Sequence, residues 1–396
     1  MRGRAAALPP AGRPPAEALA RLRLARTEGV GPQTWRRALA RFGSAEAALA
    51  ALPRYPAPRG GPPLRPPPEA EAAREWEALA RLGGRFLFLG DPGYPPLLAL
   101  AEDAPPVLAV LGDAAALAAP QVAVVGARNA SAAGRRIAEE LAEGLARAGV
   151  VVTSGLARGI DAAAHEGALR GGRTVAVVAG GLDQPYPPEH AALQARIAAA
   201  GAVVSEAPLG TAPQARHFPR RNRIVAGLAL GVVVVEAALR SGSLITARLA
   251  LEAGRELFAV PGSPLDPRCR GANDLIRQGA HLVETVEDIL PHLPDAPRDG
   301  PLFRLAAPPP EAPQKPEEPG AVPPPPAPRP GEIDQVLDLI GHSPVAVDEL
   351  ARRCHLSASA LQAILLELEL QGRIESLPGA RVARTGPARN EPMGSA

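Results

Sequence analysis

From His217 to Arg223 the chain reads His-Phe-Pro-Arg-Arg-Asn-Arg, and it then runs uncharged from Ile224 to Glu236. Arg220, Arg221 and Arg223 are fixed cations, Asn222 both donates and accepts hydrogen bonds, and Phe218 offers a ring face. An aromatic beside arginines suits a nucleobase stacked over a phosphate-gripping patch. A plain core phenylalanine is the competing reading of Phe218. If 219–229 is helical, residues 220 and 223 share one face and Arg221 points elsewhere, so all three arginines do not address one ligand.

A second set of anion-binding candidates lies at short glycine or serine turns: Gly126-Ala127-Arg128, Ser154-Gly155, Gly180-Gly181, Ser241-Gly242-Ser243 and Pro261-Gly262. Each follows an apolar run, and in an open parallel sheet such turns let helix N-termini and backbone N–H groups point at a ligand. Arg128 belongs on that rim, and Ser131 is placed to cap the next helix. Glu206 and Glu236 are read as ending neighbouring strands, either as paired carboxylates or as partners that hold Arg221 or Arg223; the nearby arginines favour the second. Asp161 and His165, four apart, are read as a helix-start acid and a locally packed imidazole rather than as an acid–base pair.

The elements that position these residues follow from periodicity. Strands are expected at 122–127, 150–155, 174–181, 202–207, 231–237 and 256–262, alternating with helices near 131–148, 160–170, 188–200, 243–254 and 271–279. Near-continuous Val/Ala strands, each followed by a helical period, indicate a parallel sheet covered on both faces. The expected fold class is α/β, an extended Rossmann-like doubly wound, mostly parallel sheet. It is flanked by an N-terminal helical module (17–82) and a C-terminal winged-helix-like module (332–386). The sheet domain spans 85–293, and a proline-rich linker spans 294–331.

Composition excludes several chemistries. Lys315 is the only lysine, so neither a P-loop NTPase nor a Schiff-base enzyme is expected. The dinucleotide fingerprint is missing, since Gly126 is followed next by Gly134, and no cofactor is expected. Cys269 and Cys354 lack metal-ligand spacing and read as reduced thiols, so no metal is expected. No G-x-S-x-G or H-E-x-x-H motif is present, and no catalytic residue is assigned. The formal charge of +2 leaves nucleic-acid binding to local patches. The N-terminus makes a poor signal peptide, and the run Ile224–Val235 is too short for a bilayer, so a soluble cytoplasmic protein without membrane contact is expected.

In the N-terminal module, Gly29-Val30-Gly31 with Pro32 opening a helix fits a helix-hairpin-helix whose turn meets a phosphate, flanked by Arg36, Arg37 and Arg41. A simple αα-hairpin fits equally. In the C-terminal module, the helix at 357–370 has no Arg or Lys and carries Glu367 and Glu369. A base-reading helix needs basic or amide side chains. This module is therefore expected to contact protein, or DNA backbone through Arg373, Arg381 and Arg384 of its wing.

The segments "VAVVGAR", "SGLARGIDAAAHEGAL", "TVAVVAGGLDQPYP", "SEAPLG", "FPRRNRIVAGLALGVVVVEAALRSGSLITARLALEAGRELFAVPG" and "GANDLIRQGA" resemble the DprA (Smf) DNA-processing family, nearly without a gap over 85–283. The resemblance implies a non-enzymatic homodimer that binds and protects single-stranded DNA and loads RecA onto it in natural transformation. It carries Phe218, Arg221, Asn222 and Arg223 into the site, and the family's Gly-Ser-Arg turn reads Gly126-Ala127-Arg128 here, without the serine. Arg220 falls on a variable motif position. The DNA-binding set is thus Gly126, Arg128, Ser131, Gly155, Phe218, Arg220, Arg221, Asn222, Arg223, Ser241, Gly242 and Ser243. An alternative is a nucleotide phosphoribohydrolase on a related sheet, for which Glu252 stands too far along its helix. A purely structural adaptor is a third reading.

Overall fold

The computed structural model describes residues 14–52, 56–57, 61–294, 330–341, 343–354, 356–377 and 380–385. Residues 295–329, which include Lys315 and most of the linker expected at 294–331, and the last eleven residues lie outside these.

Three short helices open the described chain: α1 (Ala16–Arg26), α2 (Pro32–Phe42) and α3 (Ala45–Ala51). Gly29 takes φ 84° in the α1–α2 turn, Gly31 is the N-cap of α2, and Pro32 supplies a first helical residue that needs no N–H partner. Trp35 is 2 % exposed and anchors the hairpin, its indole N–H donating to the carbonyl of Arg21 at 3.4 Å. A short antiparallel pair, β1 (Pro56–Ala57) with β2 (Gly61–Pro63), and helix α4 (Glu69–Arg81) follow.

Next come β3 (Arg85–Phe88), α5 (Pro96–Ala99), β4 (Val107–Gly112), β5 (Gln121–Gly126), α6 (Ala132–Arg147), β6 (Val151–Ser154), α7 (Ile160–Gly171) and β7 (Thr174–Val177). They are followed by α8 (Ala191–Ala200), β8 (Ala202–Ser205), α9 (His217–Leu228), β9 (Gly231–Val235), α10 (Gly242–Glu252), β10 (Glu256–Ala259), α11 (Arg270–Arg277) and β11 (His281–Leu282). These strands form one sheet in the order β11-β10-β9-β5-β6-β7-β8-β4-β3. Strands β5 to β11 are parallel, and β4 and β3 extend the sheet antiparallel at one edge. Periodicity alone did not reveal β3 and β4, because an antiparallel edge needs no crossover helix to mark it.

The valines of β5 and β9 alternate between two cores. Val125, Val232 and Val234 face one helical layer, and Val122, Val124, Val233 and Val235 face the other. Burying each such side chain stabilises the fold by roughly 1.5–3 kcal/mol. Because both faces are covered, these strands show no polar alternation in sequence. Glu206 and Glu236 do not end neighbouring strands, contrary to the sequence reading: β7, β6 and β5 lie between β8 and β9.

The C-terminal module comprises α12 (Pro330–Leu339), β12 (Val345–Ala346), α13 (Val347–Cys354), α14 (Ala358–Leu370), β13 (Ile374–Leu377) and β14 (Arg381–Arg384). Its antiparallel sheet, ordered β12-β14-β13, and its core of Val336, Leu350, Leu361, Ile364, Leu365 and Leu368 make a winged helix. Two compact units result. Arg74 onwards through the large sheet forms one, and the N-terminal helices up to Ala73 group with the C-terminal module in the other.

Candidate nucleic-acid interface

Sheet order reverses at β5: the chain builds outward through β6, β7 and β8 on one side, then returns to β9 and β10 on the other. Ligands of open α/β sheets bind outside the carboxyl ends of the strands at such a switch point. A groove of about 780 Å³ lies there, continuous with a slot of about 50 Å³. The slot has room for a few water molecules, not for a nucleobase in this conformation.

The loop after β5 brings Arg128 to the groove, where its guanidinium carbon stands 4.8 Å from the centre of the Phe218 ring. Phe218 is on the first turn of α9, with Tyr186 tilted against it at 5.7 Å. Arg128 is exposed and Phe218 half-buried, so a ring face and a cation are offered together. This is the pairing that stacks a base while holding its phosphate.

Arg221 forms the floor. It is 7 % exposed and lies 3.8 Å from the Asp161 carboxylate. A Cβ on Gly155 would fall 1.1 Å from its Nη1, so only glycine leaves it space. Asp161 also accepts from the backbone N–H groups of Gly155 (3.1 Å) and Ala157 (3.3 Å), which fixes the turn after β6. Burial pushes the Asp161 carboxyl up from its ordinary range, opposed by Arg221 and these backbone donors. Burial likewise pulls Arg221 down, opposed by Asp161. Gly126 is fixed by close approach, since a Cβ there would sit 1.8 Å from the carbonyl oxygen of Val235.

On the far wall, Ser241 caps α10 by accepting from the Ser243 N–H at 3.3 Å, and Asn222 donates to the carbonyl of Gly242 at 3.3 Å. The start of α10 therefore faces the groove with its partial positive charge. Lining side chains also include Arg240 and Arg268, the latter held by Asp266 at 2.7 Å.

Of the residues singled out from sequence, Gly126, Arg128, Gly155, Phe218, Arg221, Asn222, Ser241, Gly242 and Ser243 line this groove or its slot. Three do not. Ser131 caps α6 through the Gly134 N–H at 2.9 Å, and both its hydroxyl and its N–H donate to Glu236. Arg223 is held by both oxygens of Glu206, at 2.7 and 2.6 Å, and donates to the Asp103 carbonyl. Arg220 is exposed on the turn of α9 that faces away from Arg221. Helical spacing separated Arg221 from the other two without saying which of them faces the groove, and Glu206 is the carboxylate that holds Arg223. Sequence reasoning missed Tyr186 and Arg240. The signal for Arg240 was its place directly before Ser241-Gly242-Ser243; Tyr186 reaches the groove only through the fold.

His165 lies buried on α7, its Nδ1 2.7 Å from Thr174 Oγ1. Because that hydroxyl donates to the Val152 carbonyl, it accepts from Nδ1–H, which leaves Nε2 as a bare acceptor without a partner. Burial first, and the charge of Arg221 second, pull its pKa down to about 3. The imidazole is thus a neutral packing group. Among the described residues no cluster of His, Cys, Asp and Glu has the geometry to hold a metal ion, and no helix is long and apolar enough to cross a membrane.

Comparison with known proteins adds an independent line. The family described as DNA recombination-mediator protein A matches residues 85–294. A DprA winged helix domain matches 306–380, and a DprA-like N-terminal HHH domain matches 15–78. The chain is 44 % identical over 298 residues to Protein Smf of Escherichia coli (strain K12), covering 73 % of this chain and 74 % of that protein. The crystal structure of DprA from Streptococcus pneumoniae is similar at a TM-score of 0.55 and 42 % identity, covering 58 % of this chain and 79 % of that one. DprA from Helicobacter pylori, solved for its single-stranded DNA binding mode, is 32 % identical at a TM-score of 0.47, covering 51 % and 93 %.

Proposed function

Since the chain belongs to the DprA/Smf family of DNA-processing proteins, we propose that it binds single-stranded DNA in the switch-point groove, without catalysis. We propose further that as a cytoplasmic homodimer it protects incoming strands and loads RecA onto them during transformation. The observation that carries the binding reading is the Arg128–Phe218–Tyr186 assembly above the buried Arg221. A strand needs cations for its phosphates and ring faces for its bases, and this groove offers both.

No observation favours the phosphoribohydrolase reading. The one carboxylate lining the groove, Asp161, is buried and bound to backbone N–H groups, and Glu252 is exposed at the far end of α10. Neither is free to act on a glycosidic carbon.

The test is a salt-titrated comparison of oligo-dT with a duplex of the same length. The single strand is expected to bind more tightly, with an affinity that falls steeply with salt. Arg128→Ala combined with Phe218→Ala should weaken oligo-dT binding on the order of 100-fold, since stacking contributes about 1–3 kcal/mol per base and one phosphate contact goes with it. Unchanged binding would remove the groove from consideration. Release of free base from a nucleotide by the purified chain would revive the hydrolase.

A further inference from the structure

The second concentration of arginine lies on α2. Arg37 and Arg41 are one helical turn apart on one face, where an extended polyanion would meet both. In the structure α14 covers that face. Arg37 pairs with Glu369 and donates to Ser376 Oγ at 2.9 Å. Arg41 pairs with Glu367 at 3.1 Å and donates to the carbonyl of Ala363 at 3.1 Å. All four charged side chains are at least four-fifths buried.

The covering helix is the one that reads bases in DNA-binding winged helices. Here the side of α14 away from the module's own core carries Ala363, Leu366 and Glu367, and Leu366 is 1 % exposed although it is no part of that core. Burial outside the module's own core is what a helix face shows when another element sits on it. The absence of Arg and Lys from α14, puzzling for a recognition helix, follows from its partner being an arginine face.

A guanidinium accepts a carboxylate or a phosphate with the same forked geometry. Glu367 and Glu369 therefore stand where two backbone phosphates would. We infer that the Arg37–Arg41 face of α2 is a second phosphate-binding surface for nucleic acid, and that α14 is its built-in competitor. With no nucleic acid bound, the two glutamates hold the arginines; phosphates displace them and free α14. The inference rests on the single-stranded DNA reading for the identity of the polyanion, but its site is separate from the groove.

The experiment uses the full chain with dyes on cysteines introduced at the exposed positions Glu46 and Asp348; the native Cys269 and Cys354 are buried. Glu367→Ala/Glu369→Ala should lower energy transfer without any oligonucleotide. It should also steepen the salt dependence of oligo-dT binding by about 1.4 in log–log slope, the value for two added phosphate contacts on a single strand. Adding Arg37→Ala/Arg41→Ala should remove that increment. Saturating oligo-dT should lower energy transfer in the wild type. If the glutamate variant folds poorly, the exchange Arg37→Glu/Arg41→Glu/Glu367→Arg/Glu369→Arg should restore the wild-type signal. A fall in energy transfer with no change of slope would overturn the phosphate surface, and a wild-type signal indifferent to saturating oligo-dT would overturn the competition. Absence of any oligo-dT binding by the wild type would instead strike at the groove reading, and the oligonucleotide-free signal would still report whether the glutamates hold the face.

Discussion

At the groove, Arg128, Arg221 and Arg240 share the lining with a single carboxylate, that of Asp161, which stands 3.8 Å from the nearest guanidinium nitrogen, while Arg268 is already paired with Asp266. At the α2–α14 face, Arg37 and Arg41 each meet their own glutamate and a neutral acceptor besides. The side-chain chemistry is the same, and the availability differs. Where each cation has a close counter-charge, the free chain is already neutral there, and a ligand must displace a protein group. Where cations outnumber carboxylates, the field is left for a ligand to neutralise. Arg223 shows the rule within one helix: two residues from Arg221, it is held by both oxygens of Glu206 and lines neither cavity.

The largest expected effect tests the groove side of this contrast. Arg221→Ala would leave the Asp161 carboxyl buried without its counter-charge. Such removals cost about 3–5 kcal/mol; the lower end is expected here, because two backbone N–H groups still hold Asp161. Denaturant unfolding should show the loss, and oligo-dT binding should weaken with it. Restored stability in Arg221→Ala/Asp161→Asn would identify the stranded charge as the cause. If Arg221→Ala is as stable as the wild type, Asp161 is not dependent on Arg221, and the groove floor has been misread.

A smaller effect comes from His165 beneath the same floor. Its folded pKa is about 3, against about 6.5 in an unfolded chain. Below pH 6.5 the unfolded state takes up a proton that the folded state refuses. Stability from this group is therefore fully present above about pH 6.5 and declines as pH falls toward 3. One unit down, at pH 5.5, the loss is about 1.4 kcal/mol. The difference in unfolding free energy between pH 7 and 5.5, from urea titrations, should shrink by about 1.3 kcal/mol in His165→Gln, because a small part of the loss is already present at pH 7. An unchanged difference would mean that other groups carry the acid response.

Much of the groove was legible because it is built from local signals. Runs of valine announced buried parallel strands, small-residue turns announced their carboxyl ends, and the 220/221/223 spacing set Arg221 apart from Arg220 and Arg223 without saying which of them meets a ligand. What was hidden is pairing between residues distant in sequence. Nothing in the order of residues says that Glu206 holds Arg223 while Glu236, at another strand end, holds Ser131. Both glutamates follow a short apolar run, and only the strand order separates their partners. The same limit applies at α14: Glu367 and Glu369 read as a bar to base recognition, but their partners stand more than three hundred positions away.

The smallest effect is the sharpest test of the contrast, because it compares two exposed arginines of which the sequence reading chose Arg220 and the groove takes Arg240. Arg240 lines the groove beside the start of α10, and Arg220 lines neither cavity. If availability depends on position relative to the groove, Arg240→Ala should reduce the log–log salt slope of oligo-dT binding by about 0.7, one phosphate contact on a single strand. Arg220→Ala should leave the slope unchanged and the affinity within about twofold, as expected for an exposed charge that makes no phosphate contact. Neither change should alter stability by more than about 0.5 kcal/mol, which separates this pair from Arg221. Equal losses of slope from both would mean that the strand tracks a broad positive surface. In that case the outward face of α9, and not the groove alone, would form part of the binding path.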